Sequence, residues 1–275
     1  MSIKLAYSTL ACPEWSLREM IEATKRYGFD GIEMRLLDGE IIPPNLPPHD
    51  RERVTTACKA AGVPICCLDT SLRIATSATD ADARLEVERD AAAYLELAAA
   101  WGAPLIRVFG GEPEGGQSPA EIVAPMADLL SRIGQRAEQL GVSVALETHD
   151  SFSASPDVMR VLDQVQNRHV GVLWDTHHPY RMGESVTETY ERVVSRLLHV
   201  HVKDARKDDG ERTGWKLVLL GEGEVPVAET VTYLRSVGYD KWVAVEWEKK
   251  WHPEIESPEI ALPHDGTLLR AWLND

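Results

Sequence analysis

Short apolar runs alternate with longer amphipathic stretches along the whole chain. Residues 3–9 predict a first strand, and Ser16 then opens a helix that runs to Tyr27 and is closed by Gly28. The same alternation predicts seven further strands, over 31–36, 63–69, 104–110, 142–147, 171–175, 197–203 and 241–247. Further helices are predicted over about 48–61, 80–101, 118–140, 184–195 and 225–237, from Ser155 onward, and from about 257.

Glycines close several predicted helices shortly before the next strand, as short returns across the far face of a barrel require: Gly28, Gly62, Gly102, Gly141 and Gly238. Strands that alternate with helices predict a parallel sheet, and 275 residues suit one barrel of about 250 residues. A doubly wound open sheet usually has a glycine-rich phosphate loop after its first strand, and residues 8–12 (STLAC) do not form one. The pattern predicts an α/β fold, a single-domain (β/α)8 TIM barrel over 1–275.

Composition and charge narrow the class of protein. The chain has 44% hydrophobic and 27% charged residues, as in ordinary globular proteins, and no apolar run approaches the roughly 18 residues of a membrane helix. The first residues, MSIKLAYSTL, lack the pattern of a secretory signal, so we expect a cytoplasmic enzyme. A formal net charge of −15 argues against nucleic acid as a partner. The four cysteines follow neither zinc-finger nor disulfide spacing. Cys66 and Cys67 lie inside an apolar strand, which predicts that these two are buried free thiols.

Four predicted strands end in groups that can bind a metal. Each is a short apolar run followed by carboxylates or histidines, in residues 144–150 (VALETHD), 170–178 (VGVLWDTHH), 197–204 (LLHVHVKD) and 242–248 (WVAVEWE). Parallel strands of a closed barrel bring their carboxyl ends to one rim, where the active sites of such barrels lie. We therefore predict that one divalent metal binds there, surrounded by Glu147, Asp175, His201 and Glu246.

The predicted ligands also limit which divalent metal ions can bind. Several carboxylates with one imidazole suit Mn²⁺, Mg²⁺, Co²⁺ or Zn²⁺, and Mn²⁺ is the leading candidate. A lone glutamate at the end of a strand is more often a salt-bridge partner than a ligand. Four such residues, each after an apolar run, favour a metal site instead.

Six segments resemble the sugar phosphate isomerase/epimerase superfamily, the xylose isomerase-like barrels that include ketose 3-epimerases, hydroxypyruvate isomerase and inosose dehydratase. They are residues 28–33 (GFDGIE), 146–150 (LETHD), 174–179 (WDTHHP), 199–206 (HVHVKDAR), 238–240 (GYD) and 245–248 (VEWE). The resemblance covers nearly the whole chain and implies metal ligands at the four positions above. It further implies that Glu147 and Glu246 exchange protons with the substrate, as in the epimerases.

The implied chemistry agrees with what carboxylates can do. A glutamate that binds a metal through one oxygen can use the other to take a proton from the carbon beside a carbonyl, while the metal and nearby donors stabilise the enediolate. A second glutamate can return the proton to another face or another carbon. The leading prediction is a metal-dependent isomerase or epimerase of a sugar or sugar phosphate.

The resemblance also implies contacts to the substrate. His178 matches the histidine of an Asp-x-x-His motif that would hydrogen-bond a substrate hydroxyl, and Arg206 lies near a substrate-contacting arginine. Glu33 matches a recurrent glutamate on the second strand. Aromatic side chains in or near the carboxyl-end loops could cover a sugar ring, and these are Trp15, Trp215, Trp247 and Trp251.

Five other residues share strand parity with the predicted site and are candidates for binding substrate. Arg35 and Arg107 could bind a carboxylate or phosphate, with a buried ion pair as the alternative. His149 could orient a ligand, and Lys203 could contact a substrate oxygen or form a salt bridge. Glu248 is expected to support the site, with a role as fifth ligand as the alternative.

Three alternative functions remain open on the same scaffold. A dehydratase of the inosose or dehydroshikimate type would expel a β-hydroxyl from the same enediolate. A non-catalytic sugar-binding barrel would not require paired glutamates beside a metal. An apurinic endonuclease uses more histidines and several zinc ions, and the negative charge disfavours it. The expected partner is a small sugar or polyol ketone, without nucleic acid or membrane, and the chain could form a homo-oligomer.

Overall fold

A computed structural model describes residues 2–274 of the chain. Over these residues the strands are β1 (Lys4–Ser8), β2 (Gly31–Met34), β3 (Leu36–Leu37), β4 (Glu40–Ile41), β5 (Ile65–Arg73), β6 (Leu105–Phe109), β7 (Ser143–Glu147), β8 (Val170–Asp175), β9 (Leu197–Val202), β10 (Asp204–Lys207), β11 (Trp215–Val218) and β12 (Trp242–Val245). Eight of them form a closed barrel in the order β1-β12-β9-β8-β7-β6-β5-β2, and every neighbouring pair is parallel. The predicted (β/α)8 barrel is confirmed.

The helices of the described residues connect these strands. They are α1 (Leu17–Arg26), α2 (Pro48–Ala61), α3 (Ile74–Ser77), α4 (Ala81–Trp101), α5 (Val123–Leu140), α6 (Ser155–Leu162), α7 (His177–Arg181), α8 (Val186–Val193), α9 (Val227–Ser236) and α10 (Pro258–Asn274). Ser16 caps α1 through a reciprocal capping box with Glu19. Gly102 and Gly141 end α4 and α5 in the left-handed conformation (φ 71° and 66°), which a residue with a Cβ adopts reluctantly.

Several short elements at the carboxyl-terminal side of the barrel have no counterpart in the sequence pattern. They include the strands β3, β4, β10 and β11, which pair as two hairpins, and the helices α3 and α7. Each of these strands and helices has only two to five residues, which is too few for a period of 2 or 3.6 to be visible. All of them lie in segments that follow barrel strands, so they shape the rim where the predicted site lies.

Alternation along the barrel strands separates two parts of the core. Side chains that point outward pack against the helices in one large apolar cluster. A small second cluster consists of Ala6, Cys66, Cys67, Leu105, Ala145, Leu173 and Ala244. Because Ala145 and Leu173 precede Glu147 and Asp175 by two residues, the same strand face that ends in carboxylates carries this cluster inside the barrel.

Two further predictions can be compared directly with the structure. Cys66 and Cys67 are buried free thiols, as predicted, and Cys12 and Cys58 are buried free thiols as well. Burial raises the pKa of all four thiols. Within residues 2–274, none of the helices combines the length and the apolar character that crossing a membrane would need.

Candidate metal centre and substrate cavity

Four neighbouring strands bring the predicted metal ligands together. Glu147 and Asp175 are the last residues of β7 and β8, His201 lies one residue before the end of β9, and Glu246 directly follows β12. The parallel register places Asp175 opposite His201. Each of the four residues offers one ligand atom, and these atoms all lie within 4.8 Å of one another. All four residues are buried, Glu246 being 5% exposed and the others fully enclosed.

The polar atoms of this cluster are poorly satisfied by the protein itself. Both carboxylate oxygens of Glu147 and Nδ1 of His201 are buried and make no hydrogen bond to any residue that the structure describes. Nδ1 of His201 faces Oε1 of Glu147 at 3.4 Å and Oε1 of Glu246 at 3.5 Å. Buried polar groups normally have partners. Three carboxylates and one imidazole nitrogen converging on one point therefore fit a divalent cation.

Glu33 holds His201 from the side opposite the cluster. Its Oε2 lies 2.9 Å from Nε2 of His201 and 2.8 Å from Nε2 of His199, and all three residues are fully buried. A carboxylate at this distance favours a proton on Nε2 of His201 and leaves the Nδ1 lone pair directed toward Glu147 and Glu246. Burial alone would lower the pKa of His201, but the carboxylates of Glu33 and Glu246 raise it well above its usual range. The surroundings of this ring therefore favour positive charge, and a cation bound at Nδ1 would take the place of the second proton of the ring.

Arg107 keeps Glu147 ionised. Its Nε lies 3.2 Å from Oε2 of Glu147 and 3.6 Å from Oδ1 of Asp69. Burial by itself would raise the pKa of Glu147, but the guanidinium of Arg107 lowers it overall. Asp69 shows the opposite result, because burial and the charge of Glu33 raise its pKa to about 8. Of these two carboxyl groups, Glu147 is therefore the one that is unprotonated at neutral pH and free to accept a proton.

Lys203 neutralises the other side of the cluster. Its buried Nζ lies 2.8 Å from Oδ2 of Asp175, 2.6 Å from Oε2 of Glu246 and 2.6 Å from Oε1 of Glu248. Burial opposes ionisation of Glu246, yet the ammonium group of Lys203 lowers the pKa of Glu246 well below its usual range. Burial and repulsion from the neighbouring glutamates raise the pKa of Asp175 to about 6 despite the lysine. A bound cation would relieve that repulsion.

A cavity of about 580 Å³ opens above the cluster, and Glu246 forms part of its wall. Five of the predicted substrate contacts line it, namely Arg35, Arg107, His149, His178 and Glu248. The rings of His149 and His178 stack edge to face with centroids 4.4 Å apart. Burial and the nearby His149 lower the pKa of His178 well below its usual range, so His178 is a neutral hydrogen-bonding group. Trp215 and Trp251 supply aromatic surface to the same cavity.

Three predicted substrate contacts lie elsewhere in the structure. Glu33 is not part of the cavity wall, because its side chain lies behind His201 and bonds that ring. Lys203 is also absent from the wall, since three carboxylates surround its ammonium group. Arg206 is exposed on the β10–β11 hairpin and does not reach the cavity. The first two residues support the cluster, and the structure shows no such role for Arg206.

Sequence reasoning missed several residues of the site. Asp69 follows an apolar run, as the four predicted ligands do, so the same signal could have identified it. His199 shares strand parity with His201 and was equally accessible to that argument. His177 lines the cavity from α7, a five-residue helix without a periodic signal. The short hairpin β10–β11 carries Leu217 to the same wall, beside Trp215, which the sequence analysis had named as a candidate aromatic contact.

A comparison with known protein families identifies the family of this barrel. The chain belongs to the xylose isomerase-like TIM barrel family, whose model matches residues 21–265. The resemblance found in the sequence segments is thereby confirmed. An inosose dehydratase of Geobacillus thermodenitrificans (strain NG80-2) is 23% identical over 157 residues, which cover 52% of this chain and 50% of the relative. The match therefore spans about half the length of that curated relative.

Solved structures agree with the fold over nearly the full chain. The IOLI protein with a bound zinc atom is similar with a TM-score of 0.83 and 18% identity, covering 99% of this chain and 98% of that one. The 3-keto-D-glucoside 4-epimerase YcjR of E. coli is similar with a TM-score of 0.76 and 20% identity, covering 99% of both chains. At these identities the two structures show the fold alone. They include a protein that binds zinc and one that is an epimerase.

Proposed function

We propose that this protein is a divalent-metal enzyme that removes a proton from the carbon beside the carbonyl of a sugar-like ketone. One observation carries the proposal. Two buried carboxylates, Glu147 and Glu246, flank Nδ1 of His201 at 3.4 and 3.5 Å, and Glu246 also lines the cavity. A purely structural cluster would pair both carboxylates with hydrogen-bond donors. Lys203 donates to Glu246, but neither oxygen of Glu147 accepts a hydrogen bond from the described residues, and Nε of Arg107 contacts Oε2 only as an ion pair at 3.2 Å.

The proposed ligands of the cation are Glu147, Asp175, His201 and Glu246, with Mn²⁺ as the leading candidate. A bound divalent cation supplies positive charge that stabilises the oxyanion formed when the adjacent carbon loses its proton. Glu147, kept ionised by Arg107, is suited to accept that proton, although its side chain lies beneath the cavity wall that Glu246 helps to form. Glu246 approaches from the neighbouring side, where it can hold or return a proton. His149 and His178 are placed to hydrogen-bond substrate hydroxyls from the cavity wall.

The fate of the carbanion separates two candidate reactions. Return of the proton to another face or carbon gives an epimerase or isomerase, the type of reaction named for the structurally similar YcjR, with which the chain shares its fold at 20% identity. Loss of a β-hydroxyl gives a dehydratase, and the sequence matches to inosose dehydratases support this second candidate. Both reactions begin with the same proton removal, so the roles proposed for the two glutamates do not depend on the choice.

The proposal is tested in heavy water. Protein loaded with Mn²⁺ is incubated with D-fructose, D-tagatose and scyllo-inosose, and the products are analysed by NMR. We expect deuterium at the carbon beside the carbonyl, because a carboxylate base exchanges its proton with solvent. A new stereoisomer would identify an epimerase, and an alkene or its keto tautomer would identify a dehydratase. Turnover without deuterium would contradict the proposed proton transfer.

Variants assign the step to the two glutamates. Glu147→Gln and Glu246→Gln each retain an oxygen but lose the base, so turnover should fall at least ~10²-fold even with excess Mn²⁺. Glu40→Gln, at an exposed position on β4, is the matched control and should keep normal turnover. If both site variants stay as active as the control, the glutamates do not transfer the proton.

A further inference from the structure

Arg35 is a buried cation without an anionic partner. It directly follows β2, is 5% exposed and lines the cavity. Its backbone N–H donates to Oγ1 of Thr9 at 2.8 Å, which fixes the direction in which the side chain leaves the strand. Its guanidinium donates one hydrogen bond, from Nη1 to the backbone oxygen of Asp69 at 3.3 Å. Among the side chains that the structure describes, no carboxylate lies within 4.0 Å of that guanidinium.

The other buried cations around the site are all compensated. Arg107 lies 3.2 Å from Glu147 and 3.6 Å from Asp69, and Lys203 lies within 2.8 Å of three carboxylates. Buried charges are costly unless they are paired, so paired cations are the usual arrangement. Arg35 departs from this rule in a chain that carries a net charge of −15 and has many carboxylates available.

Arg35 also remains cationic while it is unpaired. Burial and the neighbouring charge of Arg107 lower its pKa to about 10, which still leaves the guanidinium protonated at neutral pH. A side chain that keeps a charge in an enclosed position, with free donors facing a cavity, is arranged for a ligand that brings the opposite charge.

We propose that Arg35 binds a carboxylate of the substrate, so that the substrate is an acidic, sugar-like keto compound. This inference rests on the proposed function for the position of the reacting carbon, since Arg35 and Glu246 line the same cavity. A carboxylate is named because Arg35 is the buried guanidinium of this wall that has no carboxylate partner among the described residues, and one buried positive charge balances one negative charge. Arg73, Arg181 and Arg212 also line the cavity but are less buried, so a doubly charged phosphate is the alternative that the binding test must exclude.

Ligands that differ at one carbon test the inference. Binding to the Mn²⁺-loaded protein is measured by calorimetry for D-fructose, for D-fructuronate, whose C6 is a carboxylate, and for D-fructose 6-phosphate. A fourth probe, 2-keto-D-gluconate, places the carboxylate beside the ketone instead. We expect at least one of the two keto acids to bind ~10-fold or more tightly than D-fructose, as a hydrogen-bonded charge pair would give. Equal affinities, or a preference for the phosphate over both acids, would overturn the assignment.

Variants of Arg35 show whether the preference comes from this residue. Arg35→Met keeps most of the side-chain volume and should abolish the preference for the acid over D-fructose. Arg35→Lys keeps the charge without the planar fork and should retain part of the preference. Arg206→Met removes an exposed arginine outside the cavity and serves as the matched control. An undiminished preference in Arg35→Met would contradict the proposal.

Stability separates a ligand-binding role from a structural one. Because Arg35 is unpaired, Arg35→Met should leave the Tm of the ligand-free protein unchanged or raise it. A lower Tm together with an unchanged acid preference would show that Arg35 serves the fold. The experiments distinguish failure of the proposed function from failure of this inference. If Arg35 binds the acid but no deuterium is exchanged, only the proposed reaction is contradicted. Deuterium exchange in neutral D-fructose, together with equal affinities for D-fructose and both keto acids, would contradict only the inference.

Discussion

At the scale of single residues, Glu33 illustrates how a side chain outside the cavity can determine what the site binds. Its carboxylate lies 2.9 Å from Nε2 of His201, and this contact selects which ring nitrogen faces the cluster. The same oxygen also contacts His199 at 2.8 Å, so one buried charge orients two rings. Without that charge, either tautomer of His201 could form, and only one of them directs a lone pair toward Glu147 and Glu246.

Glu33→Gln should therefore weaken metal binding although it does not alter a proposed ligand. Loss of the carboxylate behind a metal-binding histidine commonly costs about 10–100-fold in metal affinity. We expect a loss of that size in Mn²⁺ titrations of the variant. Asp265→Asn is the control, because Asp265 is a buried carboxylate on α10, away from the cluster. Equal Mn²⁺ affinity in Glu33→Gln and the control would mean that Glu33 does not orient His201.

At the scale of elements, the last helix is attached to the barrel through a buried carboxylate. Asp265 of α10 accepts a hydrogen bond from the backbone N–H of Leu220 at 3.2 Å and lies 2.9 Å from Nδ1 of His264. Its other oxygen has no partner among the described residues. Burial therefore dominates and raises the pKa of Asp265 to about 6. The contact fixes α10 against the loop after β11. When Asp265 is ionised, however, one of its two oxygens has no hydrogen-bond partner among the described residues.

This arrangement predicts a pH-dependent stability. The folded-state pKa exceeds the unfolded value, so the contribution of Asp265 is present at low pH and is lost as the pH rises through about 6. Relative to Asp265→Asn, the natural protein should lose about 1 kcal/mol of unfolding free energy between pH 5.5 and 8. Urea unfolding of both proteins at several pH values measures this difference. A difference that is constant or grows with pH would contradict the assignment.

At the scale of the whole molecule, the barrel closes four carboxyl-terminal strand ends around one point and concentrates negative charge there. We predict that the purified protein binds one divalent metal per chain and that saturating Mn²⁺ raises its Tm by roughly 5 °C or more. Elemental analysis and thermal unfolding after treatment with a chelator measure both quantities. The reason is that the cation replaces repulsion between buried carboxylates with attraction.

The ligand set can be checked within the same experiment. Asp175→Asn and His201→Ala should reduce the Mn²⁺-dependent rise in Tm, whereas His49→Ala, at a histidine that is 78% exposed in its side chain, should leave it intact. A protein without bound metal whose Tm does not respond to Mn²⁺ or Co²⁺ would contradict the metal site altogether.

Local sequence was sufficient for the barrel and for the positions of the four proposed ligands. The strands repeat as apolar runs of four or more residues, and helix ends are marked by glycines and serine caps, so periodicity alone revealed their order. In a closed parallel barrel the carboxyl ends of all strands meet at one rim. This rule alone places four residues together, namely Glu147, Asp175, His201 and Glu246. Strand parity correctly brought Arg35 and Arg107 to the cavity wall for the same reason.

How deep each side chain lies in the barrel, and which charged group it pairs with, was decided by the tertiary structure alone. Strand parity indicates that a side chain points into the barrel, but not whether it ends in the cavity or below it. For this reason Glu33 was expected to contact the substrate, although it lies behind His201. Lys203 could face substrate or carboxylates, and only the register of β9 with β8 and β12 settled that choice. The absence of a carboxylate beside Arg35, among the described side chains, likewise has no local signal. It depends on which distant strands are neighbours, because electrostatic partners here are set by barrel closure and not by sequence separation.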